Sequence, residues 1–476
     1  MNHNSKKALI IAPHPDDEIN LAGQLIVGFV NSGIDVYIVY TTNGDYTKKI
    51  GNSRLYEAIN ALAVLGVPDK NICFLGYGNE WLNGNHIYNF RTQNDILTSL
   101  SGKTETSGIP THPEYSMQKY GCHHSFTREN YKTDLKGIIL DIKATYLICN
   151  DFDSHIDHKA TSLIFEEVIG EILNQEHEYE PIILKKFAYS GVWKGSKDYY
   201  NTPMKETINT ISGNINGILY DTESPYYKWD DRIRIKPPTV TLTHFISNNI
   251  LFKAAKKHKS QIAWYQMLRV INSDIVYWWR PTCNLLKYAN IATSSGNKKY
   301  LNDFKLYESS DLQSGLDNLN INNYMWVPDN ADKEKGIEIF FENAKRVEMI
   351  RIYGDYCPDN YLKSVVIIIN DDERLFVNEN PSKPYWDIYL SEDRVLKLKI
   401  KIMEWNGIPG IVELELFDHK LDFFKNNGNI FEEYKLNNAK YRGISVMQIV
   451  EKMWLNICLL FSYKLKIMLR NIFYVK

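Results

Sequence analysis

Two short segments collect side chains that can hold a cation. "APHPDDE" (residues 12–18) places one histidine and three acids in five positions, and "DFDSHIDHKA" (151–160) adds Asp151, Asp153, His155, Asp157 and His158. Like charges packed this closely repel, so something positive must balance them. A helix N-terminus, a basic partner and a metal ion are the three candidates. The helix accounts for much of the first cluster: Pro15 suits a first turn, and the carboxylates of Asp16, Asp17 and Glu18 are favoured by the dipole there. It leaves His14 unexplained. Each cluster directly follows an apolar run, "ALIIA" in one case and "TYLICN" in the other, so both belong at the same edge of one sheet and read as one site. His14, Asp17 and His158 then form a two-histidine, one-carboxylate set. Three protein ligands leave a fourth position open, as catalytic zinc requires. Imidazole with carboxylate also accepts Fe(II) and other divalent ions.

The elements that must position these residues are visible as alternating patterns. "ALIIA" (8–12), "VYIVYTT" (36–42), "ICFLGY" (72–77) and "TYLICN" (145–150) read as strands buried on both faces. Between the first two, Ile19, Ala22, Ile26, Phe29 and Val30 recur at helical spacing up to Gly33. "SRLYEAINALAVLGV" repeats the pattern up to Gly66. The fold expected is therefore α/β: a Rossmann-like, doubly wound parallel sheet over residues 1–284, with its ligand site beyond the carboxyl ends of the strands. Residues 285–418 change to period-2 runs, "GIEIFFEN", "RVEMIRIYGD", "SVVIIIND", "VLKLKIKIME" and "IVELELFD", which predict an all-β jelly-roll sandwich. Residues 419–476 read as a helical, apolar and basic tail.

Composition narrows the classes. The chain has 476 residues, 44% hydrophobic and 24% charged, which predicts globular domains and not disorder. A formal charge of −2 argues against a dedicated nucleic-acid binder. The six cysteines lie far apart without CxxC pairing, which suits a reducing compartment. The N-terminal apolar run is too short for a secretory signal, and no uncharged apolar stretch reaches the ~20 residues a spanning helix needs. A cytoplasmic protein is expected.

With these residues in view, "APHPDDE" together with "HIDH" resembles the PIG-L/LmbE-like family of metal-dependent N-acetylglucosaminyl deacetylases. The similarity runs across about residues 7–265 and includes "TTNGD", "FLGYGN", "FTRENYKTDL" and "KAAKKHKSQ". The resemblance implies that His14, Asp17 and His158 hold the metal, zinc by preference. It implies that Asp16 is the general base, and that His155 stabilises the oxyanion with Asp157 orienting or charging it. Arg54, which by spacing alone reads as a surface partner of Glu57, would contact sugar hydroxyls or phosphate. Asn79 stands where many relatives carry an acid. His123 and His124 lie in a polar loop (101–130) that is a candidate cover for the site. His258 and Gln261 match an "HxSQ" element of structural character.

"ANIATSSG", "YMWVPDN", "VEMIRIYGD" and "NGIPGIVELELFD" resemble a discoidin-like, galactose-binding-like sandwich. That resemblance makes Trp326, Tyr356, Tyr385 and Trp386 candidates for stacking on sugar, against a framework role for each. In the tail, Glu451 stands against Lys452, Lys464, Lys466, Arg470 and Lys476. Such a helix either lies in a membrane interface through residues 443–476 or docks on the catalytic domain or a second copy. The expected function is zinc-dependent hydrolysis of the N-acetyl group of an amino sugar or glycolipid in cell-surface glycan assembly, in the cytoplasm or at the inner membrane face. The alternatives are a non-catalytic carbohydrate-binding or scaffold protein, and a metal-dependent amidase acting on another N-acyl conjugate.

Overall fold

The computed structural model describes residues 6–46, 50–79, 94–150, 155–186, 193–195, 207–209, 214–215, 218–219, 226–227, 229–261, 264, 267–268, 270–306, 324–355, 359–428, 430–435 and 444–474. Asp151, Asp153 and Tyr356 lie outside the described residues.

Apolar runs form the centre of the first sheet. Strands β1 (Lys7–Ala12), β2 (Asp35–Thr42), β3 (Ile72–Tyr77), β4 (Tyr146–Asn150) and β5 (Ile182–Lys186) pair in parallel in the order β5-β4-β1-β2-β3. Leu9 and Ile11 face one hydrophobic core while Ala8, Ile10 and Ala12 face another, so β1 is buried on both sides. That two-sided burial is why its residues are continuously apolar. Helices α1 (Asp17–Asn31), α2 (Gly51–Leu65), α3 (Tyr115–Tyr120), α4 (Arg128–Ile142) and α5 (Ile156–Gln175) connect or cover the strands. Gly66 ends α2 in the left-handed conformation, φ 86°, with its N–H on Ala63 O. Two later strands, β6 (Ile233–Ile235) and β7 (Ile275–Arg280), extend the sheet beyond β5 in antiparallel pairing, with short helix α6 (Ile250–Ala255) between them in sequence. The parallel sheet therefore carries an antiparallel edge. Strand order reverses at β1, whose neighbours are β2 and β4, so the carboxyl ends of β1 and β4 flank a topological switch point.

The second sheet is antiparallel throughout, in the order β8 (Ala289–Thr293), β9 (Gly336–Tyr353), β12 (Tyr385–Asn406), β10 (Tyr361–Ile369), β11 (Asp372–Val377), with β13 (Glu413–Phe417) also on β9. It forms the sandwich around Ile337, Ile350, Val365, Leu398, Ile400 and Leu414. "GIEIFFEN" and "RVEMIRIYGD", which read as two strands, are one: β9 runs through both, with register shifts between Phe340 and Met349 against β12. Bulges absorb the extra residues and bend the ladder, so the break in the alternation does not end the strand.

The two sheets meet along α5. Gly170 lies against the backbone of Asp303, where a Cβ would stand 2.0 Å from its carbonyl oxygen. Glu166 accepts from Leu306 N (3.2 Å) and from Lys185 Nζ (3.2 Å), and Glu413 of β13 accepts from Asp303 N and Phe304 N (3.1 Å each). Arg280, 1% exposed, stacks over Phe304 with Glu166 and Glu415 at 3.8 and 3.9 Å. Short helix α7 (Phe423–Asn427) and long helix α8 (Val446–Tyr474) complete the chain.

Candidate metal centre

The loop after β1 and the first turns of α1 and α5 bring both clusters to the switch point. His14 Nδ1, Asp17 Oδ2 and His158 Nε2 lie 3.0 Å from one another on all three sides. All three residues are at most 2% exposed. In a tetrahedral site with ligands at ~2.0–2.1 Å, donor atoms are roughly 3.3 Å apart, so this triangle is one slightly compressed face of such a site. Two imidazole nitrogens cannot satisfy each other and a carboxylate at once with one proton between them; a cation does so. His14, His155 and His158 also offer ligand atoms within 4.8 Å of one another. That set is too open for a tetrahedral face, and we favour the triangle containing Asp17.

Asp157 departs from its expected partner. Its Oδ2 is 2.9 Å from His14 Nε2 and 3.8 Å from His155 Nδ1. A carboxylate on Nε2 fixes the proton there and leaves the Nδ1 lone pair of His14 able to bind a cation, the kind of support a metal-binding imidazole uses. His155 instead caps α5, its Nδ1 accepting from Asp157 N at 3.2 Å. That bond puts its proton on Nε2. Burial first, then the neighbouring His14 and His158, pull His155 well below the usual imidazole range. Of the two effects expected of Asp157 on His155, orienting or charging, burial disfavours the second, and the ring offers an Nε2–H donor. Burial would raise Asp17, yet His158 and His14 hold it well below the usual carboxylate range.

Asp16 sits beside this triangle with φ 122°, outside the conformations a side chain ordinarily tolerates. Two contacts hold it, and a third holds the residue before it. Its N–H donates to Glu18 Oε2 at 2.9 Å, Arg54 Nη2 donates to its Oδ1 at 3.2 Å, and the same nitrogen donates to Pro15 O at 2.7 Å. Burial raises the Asp16 carboxyl to about 6, with Arg54 opposing the rise. Arg54 is 4% exposed, and its Nη1 reaches Gly44 O at 3.0 Å. Gly44 has to be glycine, since a Cβ there would fall 2.4 Å from the guanidinium and φ is +61°. Arg54 does not pair with Glu57, which accepts from Ser260 N and Oγ. Its placement is that of a clamp on Asp16.

His258 and Glu18 form a buried pair at 2.7 Å, and Glu18 in turn holds the Asp16 amide. The chemistry-bearing spacing gave no sign of this layer. His123 bonds Glu114 and His124 bonds Asp134 of α4, and neither bonds His14, Asp17 or His158. Asn79 is buried with its N–H on Asp45 Oδ1. Gln261 reaches Tyr46. In the sandwich, Trp326 is fully buried with its indole N–H on Ser295 O, a framework residue and not a sugar platform. Tyr385 and Trp386 are half-buried, Tyr385 beneath the Arg351 guanidinium.

Residues 9–169 match the family model described as PIG-L, GlcNAc-PI de-N-acetylase. Among solved structures, the chain is similar to the N,N'-diacetylchitobiose deacetylase from Pyrococcus horikoshii (17% identity, 59% of this chain and 85% of that one, TM-score 0.32). It is also similar to the family 32 carbohydrate-binding module of Clostridium perfringens NanJ in complex with galactose (19%, 28% and 94%, TM-score 0.20) and to a Streptococcus pneumoniae fucose-binding module (15%, 29% and 98%, TM-score 0.22). No curated protein matches. The family match ends before His258 but contains both histidine–aspartate clusters and Arg54: residues 9–169 are a PIG-L domain.

Proposed function

We propose that the protein is a metal-dependent N-deacetylase, hydrolysing the acetamide of an N-acetylated amino sugar to acetate and a free amine. The observation that carries this reading is the 3.0 Å triangle of His14, Asp17 and His158 with a buried carboxylate, Asp16, beside it. When bound, a divalent ion supplies Lewis-acid charge and lowers the pKa of water to ~7, which an amide needs for attack at neutral pH. Zinc suits the donor set best, and Fe(II) is the runner-up.

The protein's own groups do the rest. Asp16 takes the proton of the attacking water as the new C–O bond forms, then delivers it to the sugar nitrogen as the C–N bond breaks. His155 donates its Nε2–H to the developing oxyanion. Asp157 keeps His14 in the tautomer that leaves Nδ1 open, and Arg54 with Glu18 holds Asp16 in its strained position. The matching family model is described by an N-acetylglucosamine conjugate, GlcNAc-PI, which supports a sugar or glycolipid substrate; a cytoplasmic role in cell-surface glycan assembly is part of the proposal. Metal analysis of purified protein, with an acetate-release screen over N-acetyl sugars, tests the reading. Stoichiometric metal that is lost in His158→Ala, together with release from at least one sugar, is expected. Protein that takes up no divalent ion would overturn it.

A further inference from the structure

Helix α8 is held at one side and bare at the other. Ser445 and Gln448 cap its start reciprocally, Gln448 N donating to Ser445 Oγ (3.3 Å) and Ser445 N to Gln448 Oε1 (2.9 Å). Gln448 also donates to His244 O, and Glu451 accepts from Ile246 N and Ser247 N at 3.1 and 2.8 Å. Leu455 packs on Ile246, Phe252 and Ile271. On the opposite side, Val446, Val450, Met453, Ile457 and Leu460 recur at alternating steps of four and three residues and are 43–74% exposed. Trp454 and Phe461 widen this stripe into a broad face, 63% and 72% exposed. Monomer surfaces rarely leave so continuous an apolar area bare.

Exposed charges on α8 and on α6, against which it docks, are mostly lysines. Glu451 is the only acid of α8, and it is spent on the docked side. Lys452 and Lys464 are exposed on the helix. On and just after α6, whose Phe252 shares the small core with Leu455, Lys253, Lys256, Lys257 and Lys259 are exposed as well. None of these six lysines has an ion-pair partner among the described residues. Lys257 and Lys259 flank the buried His258, whose Nε2 lies 2.7 Å from Glu18, the residue that holds the Asp16 amide.

We infer that the bare face of α8, with the lysines of α6, is a docking surface for an anionic lipid bilayer, on which the helix lies without crossing. No helix among the described residues is long and apolar enough to cross a membrane. An interfacial helix needs a wide apolar face and cations to meet anionic headgroups; α8 supplies the face, and α8 and α6 supply exposed lysines. A second copy of the chain fits less well. A symmetric pair through this face would set lysines against lysines, and the apolar arc exceeds the narrow seam of two paired helices. The inference stands apart from the deacetylase reading, although a lipid-carried sugar would meet the active site at such a surface.

Flotation of the full chain with phosphatidylcholine vesicles, with and without about one-third phosphatidylglycerol, tests it. Binding to the anionic vesicles only is expected, weakening at least about tenfold when salt rises from about 0.1 to about 0.5 M. Met453→Ser with Leu460→Ser, and separately Lys253→Gln with Lys256→Gln and Lys257→Gln, should each weaken it about tenfold or more without changing the melting temperature. Because every substituted side chain is exposed, folding is expected to survive; salt dependence of the unmodified chain reads the same surface independently. Absence of binding at low salt, or undiminished binding by both variants, would overturn the inference. So would a dimer that the Met453/Leu460 variant splits while vesicles are ignored, which would assign the face to a second copy. Acetate release plays no part in these readouts.

Discussion

Asp16 occupies a backbone conformation that costs a non-glycine residue about 1–3 kcal/mol, and such strain persists only where surrounding contacts overdetermine it. Glu18, Arg54 and the Pro15 carbonyl are those contacts. Asp16→Asn should keep the metal and lower turnover by the ~10² to 10⁴-fold typical of a general base, measured as acetate release beside metal content. Wild-type turnover would reduce Asp16 to an acid at a helix start. Arg54→Met separates two roles: a clamp on Asp16 predicts a fall in kcat with little change in KM, whereas a substrate contact predicts a rise in KM. Asp157→Asn should weaken metal affinity about 10- to 100-fold, because it loses the fixed tautomer of His14, and competition with a chelator reads this directly. That His14, Asp17 and His158 would converge was legible in the sequence because each cluster follows an apolar run. The partner of Asp157 was not, because spacing along one helix cannot say which imidazole on another element comes within reach. Arg54 carried a readable signal that its charge obscured: it shares the buried stripe of α2 with Ala58, Ala61 and Leu65.

Among the elements, β1 to β4 were legible almost to the residue, since strands covered on both faces must be continuously apolar. The ends of α1 and α2 were legible too, because Gly33 and Gly66 adopt positive φ that a side chain resists. β6 and β7 were not, since three- and six-residue strands from distant parts of the chain leave little periodicity to count. Nor was the unity of β9, where a bulge breaks the alternation without breaking the strand. Helix α5 carries His155, Asp157 and His158 at one end and Gly170 against Asp303 further along. Gly170→Ala should force the helix and that backbone apart and destabilise the protein by about 1–3 kcal/mol, seen as a lower melting temperature. An unchanged melting temperature would mean that the contact is easily relieved.

At the scale of the whole molecule, a second group of buried acids, Glu166, Glu413 and Glu415, lies where the two sheets meet. Burial, together with the charges of Asp303 and Glu415, pushes Glu413 well above the usual carboxylate range of 4.5. A carboxyl raised in the folded state keeps a proton that the unfolded chain releases, so its contribution is full below about pH 4.5 and is lost as pH rises above it. Glu413→Gln retains an acceptor for Asp303 N and Phe304 N and removes the charge. It should flatten the fall in melting temperature between about pH 5 and about pH 8, with less effect at the acid end. An identical pH profile in the variant would show that other groups set the slope. The junction also bears on interchangeability. Because α5 carries Asp157 and His158 of the candidate metal centre and is also the wall against which residues 303–306 are seated, the sandwich is joined through shared core and not through a tether. A different sandwich spliced on after the first sheet would leave Arg280 and Glu166 facing surfaces never shaped for them. Recombination that treats the β region as a detachable cassette would therefore have to carry α5 along with it, histidines included.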